Sequence, residues 1–236
     1  MDAKKEMIRL IEKLGQRHGS YNVFFHFVEL AALSLANQHE MVKTRFNERE
    51  KQYKEVIKRY TKEEINVFIE LLAVLTKSLH AYPDDILGEV FHELKLHNQW
   101  VGQFFTPMNV CEMMARMIIG NAKEEIEKTG HFSISEPACG SGAMMIAAVR
   151  TLKSQHVEYQ TQVYIEATDV DIRCIYMAYV QLSILGVAAR VIHGNSLTME
   201  TFGVWETPML MFIKNSIKKR KDENNASLCS EVAINT

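Results

Sequence analysis

The chain has 236 residues, 47% of them hydrophobic and 24% charged, a balance that excludes a disordered chain and allows one large domain or two small ones. Its formal net charge of −2 excludes whole-chain basicity as the source of any nucleic-acid contact, so a cationic surface would have to be local. The four cysteines, Cys111, Cys139, Cys174 and Cys229, form no C-x-x-C pair and no zinc-ligand spacing, which points to reduced thiols in a cytoplasmic protein with no metal site.

The N-terminus, Met1 to Glu6, lacks the apolar core of a signal peptide. Met7, Leu10, Ile11 and Leu14 recur at helical spacing, and Gly15 is expected to end that helix. The apolar run from Tyr21 to Ala36 is interrupted by Asn22, His26 and Glu29, so it reads as a core helix and not a membrane span. Phe46, Tyr53, Ile57 and Tyr60 mark a more polar third helix. Thr61-Lys62-Glu63-Glu64 is a capping box, opening a helix through Val67, Leu71 and Leu75. Asp84 or Asp85 starts a further helix carrying Ile86, Leu87, Val90, Phe91 and Leu94. Residues 1–98 therefore read as a helical subdomain.

In Gly102-Gln103-Phe104-Phe105-Thr106-Pro107, Thr106 suits an N-cap and Pro107 a first helical position. The helix that follows carries Val110, Met113 and Met114 and stops at Gly120. Read from the residues alone, this is a capped helix behind two packing phenylalanines.

Phe132 and Ile134 suit a strand that leads into Glu136-Pro137-Ala138-Cys139-Gly140-Ser141-Gly142. Gly140 and Gly142 permit positive φ and close approach of a ligand to bare backbone. Ser141 or Gly142 opens a helix whose free N–H groups can receive an anionic group. A strand over Gln162 to Thr168 then ends at Asp169-Val170-Asp171. An acidic residue at the tip of a second strand is where Rossmann-like folds hold a ribose, although one of the two aspartates can equally be a helix N-cap. A helix through Ile175, Ala178, Leu182 and Leu185 closes at Gly186, and Ala189 to His193 form a third strand ending in Gly194-Asn195-Ser196-Leu197. This β-α-β-α-β order implies an α/β fold with a parallel sheet and right-handed crossovers.

These four segments, in this order, resemble the cofactor motifs of adenine-specific DNA N6-methyltransferases, with the modification subunit of type I restriction systems the nearest match. Asp85-Ile86-Leu87-Gly88-Glu89 also looks like that family, and the likeness spans about residues 83–200. The resemblance implies a partial Rossmann-like methyltransferase sheet over residues 99–213 behind the helical subdomain, with 214–236 as a polar, basic tail. It implies S-adenosylmethionine (SAM) as cofactor and DNA as partner, and no membrane. Thr106 with Phe105 would approach the amino-acid end of SAM. Glu136, Pro137, Ala138 and the backbone of Gly140 to Gly142 would cradle that portion. Asp169 would accept from the ribose hydroxyls, and Asn195 would sit near the adenine amino group, where the family usually carries an aspartate.

One family feature is missing. The catalytic motif is an Asn or Asp, two prolines and an aromatic residue after the fourth strand. It accepts the hydrogens of the adenine amino group and stacks the flipped base. The four prolines here, Pro83, Pro107, Pro137 and Pro208, are never adjacent. Pro208 to Ile213 is expected as a fourth strand, followed by Asn215, the one weak catalytic candidate. Trp205 could stack a base, though packing against the sheet accounts for it as well. Two functions therefore remain: an adenine-specific methyltransferase completed by another subunit or second copy, or a non-catalytic SAM-binding module.

Overall fold

The structure, a computed structural model, describes residues 2–95 and 105–214. Five helices come first: α1 (Ala3–His18), α2 (Ser20–Asn37), α3 (Lys43–Ile57), α4 (Lys62–Ala81) and α5 (Ile86–Glu93). Then follow α6 (Met108–Ile119), α7 (Ala122–Thr129), β1 (Phe132–Glu136), α8 (Ala143–Ser154), α9 (Tyr159–Gln162), β2 (Val163–Asp169), α10 (Ile172–Ile184), β3 (Ala188–Asn195) and β4 (Glu200–Glu206). The expected α/β architecture is present: the sheet has the order β1-β2-β3-β4, with β1, β2 and β3 parallel and β4 antiparallel to β3.

The N-terminal helices form because their apolar residues share faces. Met7, Leu10, Ile11 and Leu14 of α1 are buried, and so are Val67, Phe68, Leu71, Leu75 and Leu79 of α4. The Thr61 capping box is present in full. The end expected at Gly15 is corrected, since α1 continues to His18 and turns at Gly19, which has φ 79°. Gly15 is needed for packing: a Cβ there would lie 2.4 Å from Ser20 Oγ, at the start of α2. The helical layer and the sheet layer share one hydrophobic core, running from Met7 to Trp205, with α2 packed on α10. Trp205 on β4 is buried against Tyr176 and Tyr179, with the Arg49 guanidinium 4.7 Å from its ring centroid, so it is a packing residue.

A second correction concerns the end of the sheet. Residues 208–214 are helical, and the fourth strand lies earlier, at Glu200–Glu206. Thr207 explains the switch. It is fully buried, its hydroxyl donates to Val187 O (2.6 Å), and it accepts from Ala189 N–H (2.9 Å). That anchors the chain at the start of β3, and Pro208 then occupies a first helical position, where its missing N–H costs nothing. Asn215 lies outside the described residues, as do Gly102 to Phe104 and the basic run Lys218 to Lys221. No helix of the described residues is long and apolar enough to cross a membrane.

Candidate functional site

The parallel strands end together, and the residues singled out in the sequence gather at those ends. Glu136 closes β1, Asp169 closes β2 and Asn195 closes β3. The turn after β1 folds back over them. Cys139 N–H donates to Thr168 O (2.8 Å), and Gly140 N–H donates to Asp169 Oδ2 (2.9 Å). The other carboxylate oxygen of Asp169 accepts from Asp171 N–H (2.9 Å). Asp171 is the N-cap of α10, accepting from Arg173 N–H (2.9 Å), so of the two acids it is the one that caps the helix. Glu136 bends towards the turn and accepts from Ala138 N–H (3.0 Å).

The two glycines do different work. Gly140 has φ 53° and is partly exposed, and a Cβ on it would stand 3.0 Å from the Phe105 ring. Gly142, with φ 107°, is buried: its would-be Cβ lies 3.4 Å from Ala178 Cα of α10. Gly142 is therefore the N-cap of α8, buried in ordinary contact with α10, and its left-handed φ is what calls for glycine. Gly140, with Pro137 and Ala138, forms the accessible rim.

Phe105 joins the rim from the other side. Its N–H donates to His92 Nε2 (3.1 Å), and its ring packs on Phe91 and His92. Thr106 is exposed and does not cap α6; that helix begins one residue later, with Pro107 O accepting from Val110 and Cys111 N–H. Phe105, Thr106, Asp85, Gly88 and His92 line a cleft of about 790 Å³ between α5 and the start of α6. Asn195 has its amide oxygen taken by a turn, accepting from Leu197 N–H (2.9 Å) and Thr198 N–H (3.3 Å).

Beneath the turn lies a buried polar cluster that sequence reading did not find. Asp85, 3% exposed, accepts from Ser141 Oγ–H (2.5 Å), Gln181 Nε2–H (2.8 Å) and Gly88 N–H (3.0 Å). Burial pushes its carboxyl above the usual range, against the pull of these donors. The available signal was Gln181, a polar residue within the otherwise apolar face of α10. Burial, with the charges of Asp169 and Glu136 added, also pushes the Cys139 thiol well up; Cys174 is raised by burial and by Asp169 and Asp171.

Fold and site define an α/β protein of the Rossmann-like kind, with its crevice at the carboxyl ends of parallel strands. The family model described as N-6 DNA Methylase matches residues 84–225. No curated protein matches. One solved structure, a Listeria monocytogenes protein assigned to the class I SAM-dependent methyltransferases, is similar at 16% identity and a TM-score of 0.47, over 83% of this chain and 54% of that one. The chain thus spans about half the length of that protein. It belongs to the N-6 DNA methylase family.

Proposed function

We propose that the chain is the SAM-binding part of an adenine-specific DNA N6-methyltransferase, similar to the modification subunit of type I restriction systems, and that it does not methylate DNA by itself. One observation carries this reading. The Asp169 carboxylate and the side-chain-free Gly140 stand hydrogen-bonded together at the head of the crevice. The residues suit the cofactor. Each oxygen of Asp169 accepts one backbone N–H and keeps acceptor capacity for a ribose hydroxyl. Gly140 leaves open the space that a Cβ would fill against Phe105. Glu136, Pro137, Ala138, Phe105 and Thr106 stand around the turn to hold the amino-acid end, with Gly142 shaping it from below. Asn195 borders the adenine. The bound cofactor supplies an electrophilic methyl group. The thiols of Cys139 and Cys174 are kept protonated, so they offer no competing nucleophile.

DNA is the partner, and a second polypeptide completes the site. Residues 1–98 serve as the supporting subdomain, 99–213 as the partial methyltransferase domain and 214–236 as a basic tail. Among the described residues β1 is an edge strand, and the neighbouring face of α6 exposes Met113, Met117 and Ile118. A sheet edge of this kind accepts an added strand. The second reading, a non-catalytic SAM-binding module, is favoured by the absence of adjacent prolines and by the helix at 208–214. The test is transfer of labelled methyl from SAM to unmethylated DNA of mixed sequence, with and without host-cell extract. Incorporation only with extract supports completion by a partner. Incorporation by the chain alone overturns the proposal, and silence in both arms turns it to the second reading.

A further inference from the structure

The buried cluster under the glycine turn joins three elements that are far apart in sequence. Asp85 stands at the head of α5, Ser141 in the turn between β1 and α8, and Gln181 near the C-terminal end of α10. Ser141 is held twice. Its hydroxyl donates to Asp85 Oδ2 (2.5 Å), and its carbonyl accepts from Gln181 Nε2–H (2.9 Å). Gln181 Nε2 also donates to Asp85 Oδ1, and its Oε1 accepts from Leu87 N–H (3.1 Å), so the amide is used at both ends. Asp85 completes its set with Gly88 N–H. Ser141 and Gln181 are at most 1% exposed. Gly88 belongs to the same construction: a Cβ there would fall 2.0 Å from Asp85 Oδ2 and 2.6 Å from Ser141 Oγ.

A buried carboxylate costs free energy unless it is fully hydrogen-bonded. Helix capping alone does not call for this one. An exposed Asp or Ser caps a helix equally well, and Asp2 and Thr61 do so elsewhere in the chain. What Asp85 adds is a fixed position for Ser141, which lies between Gly140 on the accessible rim and Gly142 packed on α10.

We propose that Asp85, acting through Ser141 and Gln181, is the positioning residue of the Gly140–Gly142 turn, so that the docking of the helical layer sets the ligand-binding geometry at the crevice. The ligand is the one proposed above, so the affinity arm rests on that reading, whereas the exchange arm below does not. The geometry makes the coupling local. Releasing the Ser141 hydroxyl removes one of its two holds and loosens the turn, while Gln181 still holds Leu87 and the Ser141 carbonyl and the sheet keeps its register.

Two readouts test this on the full chain. The first is backbone amide hydrogen exchange. In Ser141→Ala and in Asp85→Asn, amides of residues 140–143 should exchange at least tenfold faster, with those of β2 and β3 unchanged. The second is calorimetric titration with S-adenosylhomocysteine, in which each variant should bind at least tenfold more weakly. The double variant should be no worse than the poorer single, because both act through one contact. Should Asp85→Asn not fold, Ser141→Ala carries both readouts. Unchanged exchange at 140–143, or an acceleration spread evenly over the sheet, overturns the proposal. So do additive losses of affinity in the double variant. A parent that binds no S-adenosylhomocysteine sinks the functional reading and leaves the exchange result to decide this one.

Discussion

Gly142 and Gly140 are two residues apart in one turn, yet substitution should separate stability from binding. At Gly142 the backbone has φ 107° and ψ 7°, and an added Cβ lies 3.4 Å from Ala178 Cα and 3.6 Å from Ala178 Cβ and Met145 Cε. A valine there adds left-handed strain of about 1–2 kcal/mol. Its two methyls press on the backbone of α10, and such overpacking costs about 1–3 kcal/mol. Together these predict a loss of about 2–5 kcal/mol, which for a chain of this size lowers Tm by roughly 4–20 °C. Gly140→Ala meets φ 53° and only the edge of the Phe105 ring at 3.0 Å, and that ring can shift. It should cost about 1–2 kcal/mol and no more, while displacing Phe105 over the rim and weakening S-adenosylhomocysteine several-fold. Thermal melts followed by circular dichroism, with calorimetric titration of the folded variants, measure both. If Gly142→Val melts within two or three degrees of the parent, or if Gly140→Ala falls as far as Gly142→Val, the division of labour between the glycines is wrong.

Asn195→Asp should strengthen S-adenosylhomocysteine binding several-fold, because one carboxylate oxygen keeps the turn to Leu197 while the other replaces an amide donor with an acceptor for the adenine amino group; unchanged calorimetric affinity would remove Asn195 from the adenine subsite. His26, bonded through Nδ1 to Tyr60 (2.7 Å), has its pKa lowered by burial and then by the charges of Arg59 and His18. The folded state therefore binds its proton less readily than the unfolded chain, so its contribution is full above about pH 6.5 and is lost as pH falls through the folded value. Tm between pH 7 and 5 should consequently fall less steeply in His26→Gln than in the parent, and parallel curves would refute it. Cys111, Cys139 and Cys174 are buried, with Cys111 pushed up to about 11 by burial and the charges of Asp85 and Glu136, so all three should react with a disulfide reagent only after unfolding; rapid labelling of any of them in the native chain, read by peptide mass spectrometry, contradicts their placement.

The elements that place the site were legible because periodicity and turn chemistry agreed. Phe132 and Ile134, the glycines after them, Asp169 and the Ala189 to His193 run each carry a local signal, and all converge on the strand ends. What could not be read required tertiary contact. Gly15 looks like a helix stop, but its role is set by Ser20 packing on it. Thr106 looks like an N-cap, yet Pro107 takes the cap position. Pro208 to Ile213 is apolar enough for a strand, and only the burial of Thr207 against Val187 and Ala189 shows why the sheet has already ended there. Gly140 and Gly142 are indistinguishable as letters, and the packing of α10 decides between them. The Asp85–Ser141–Gln181 cluster spans 96 residues, beyond any local pattern.

The central claim is that SAM binds across the carboxyl ends of β1 and β2. The most direct measurement is a crystal structure of the chain with S-adenosylhomocysteine. It should show the ribose hydroxyls within hydrogen-bond distance of the Asp169 carboxylate and the amino-acid end against Glu136, Ala138 and Gly140. A crevice left empty at saturating ligand, or a ligand lodged elsewhere with Asp169 untouched, would contradict it.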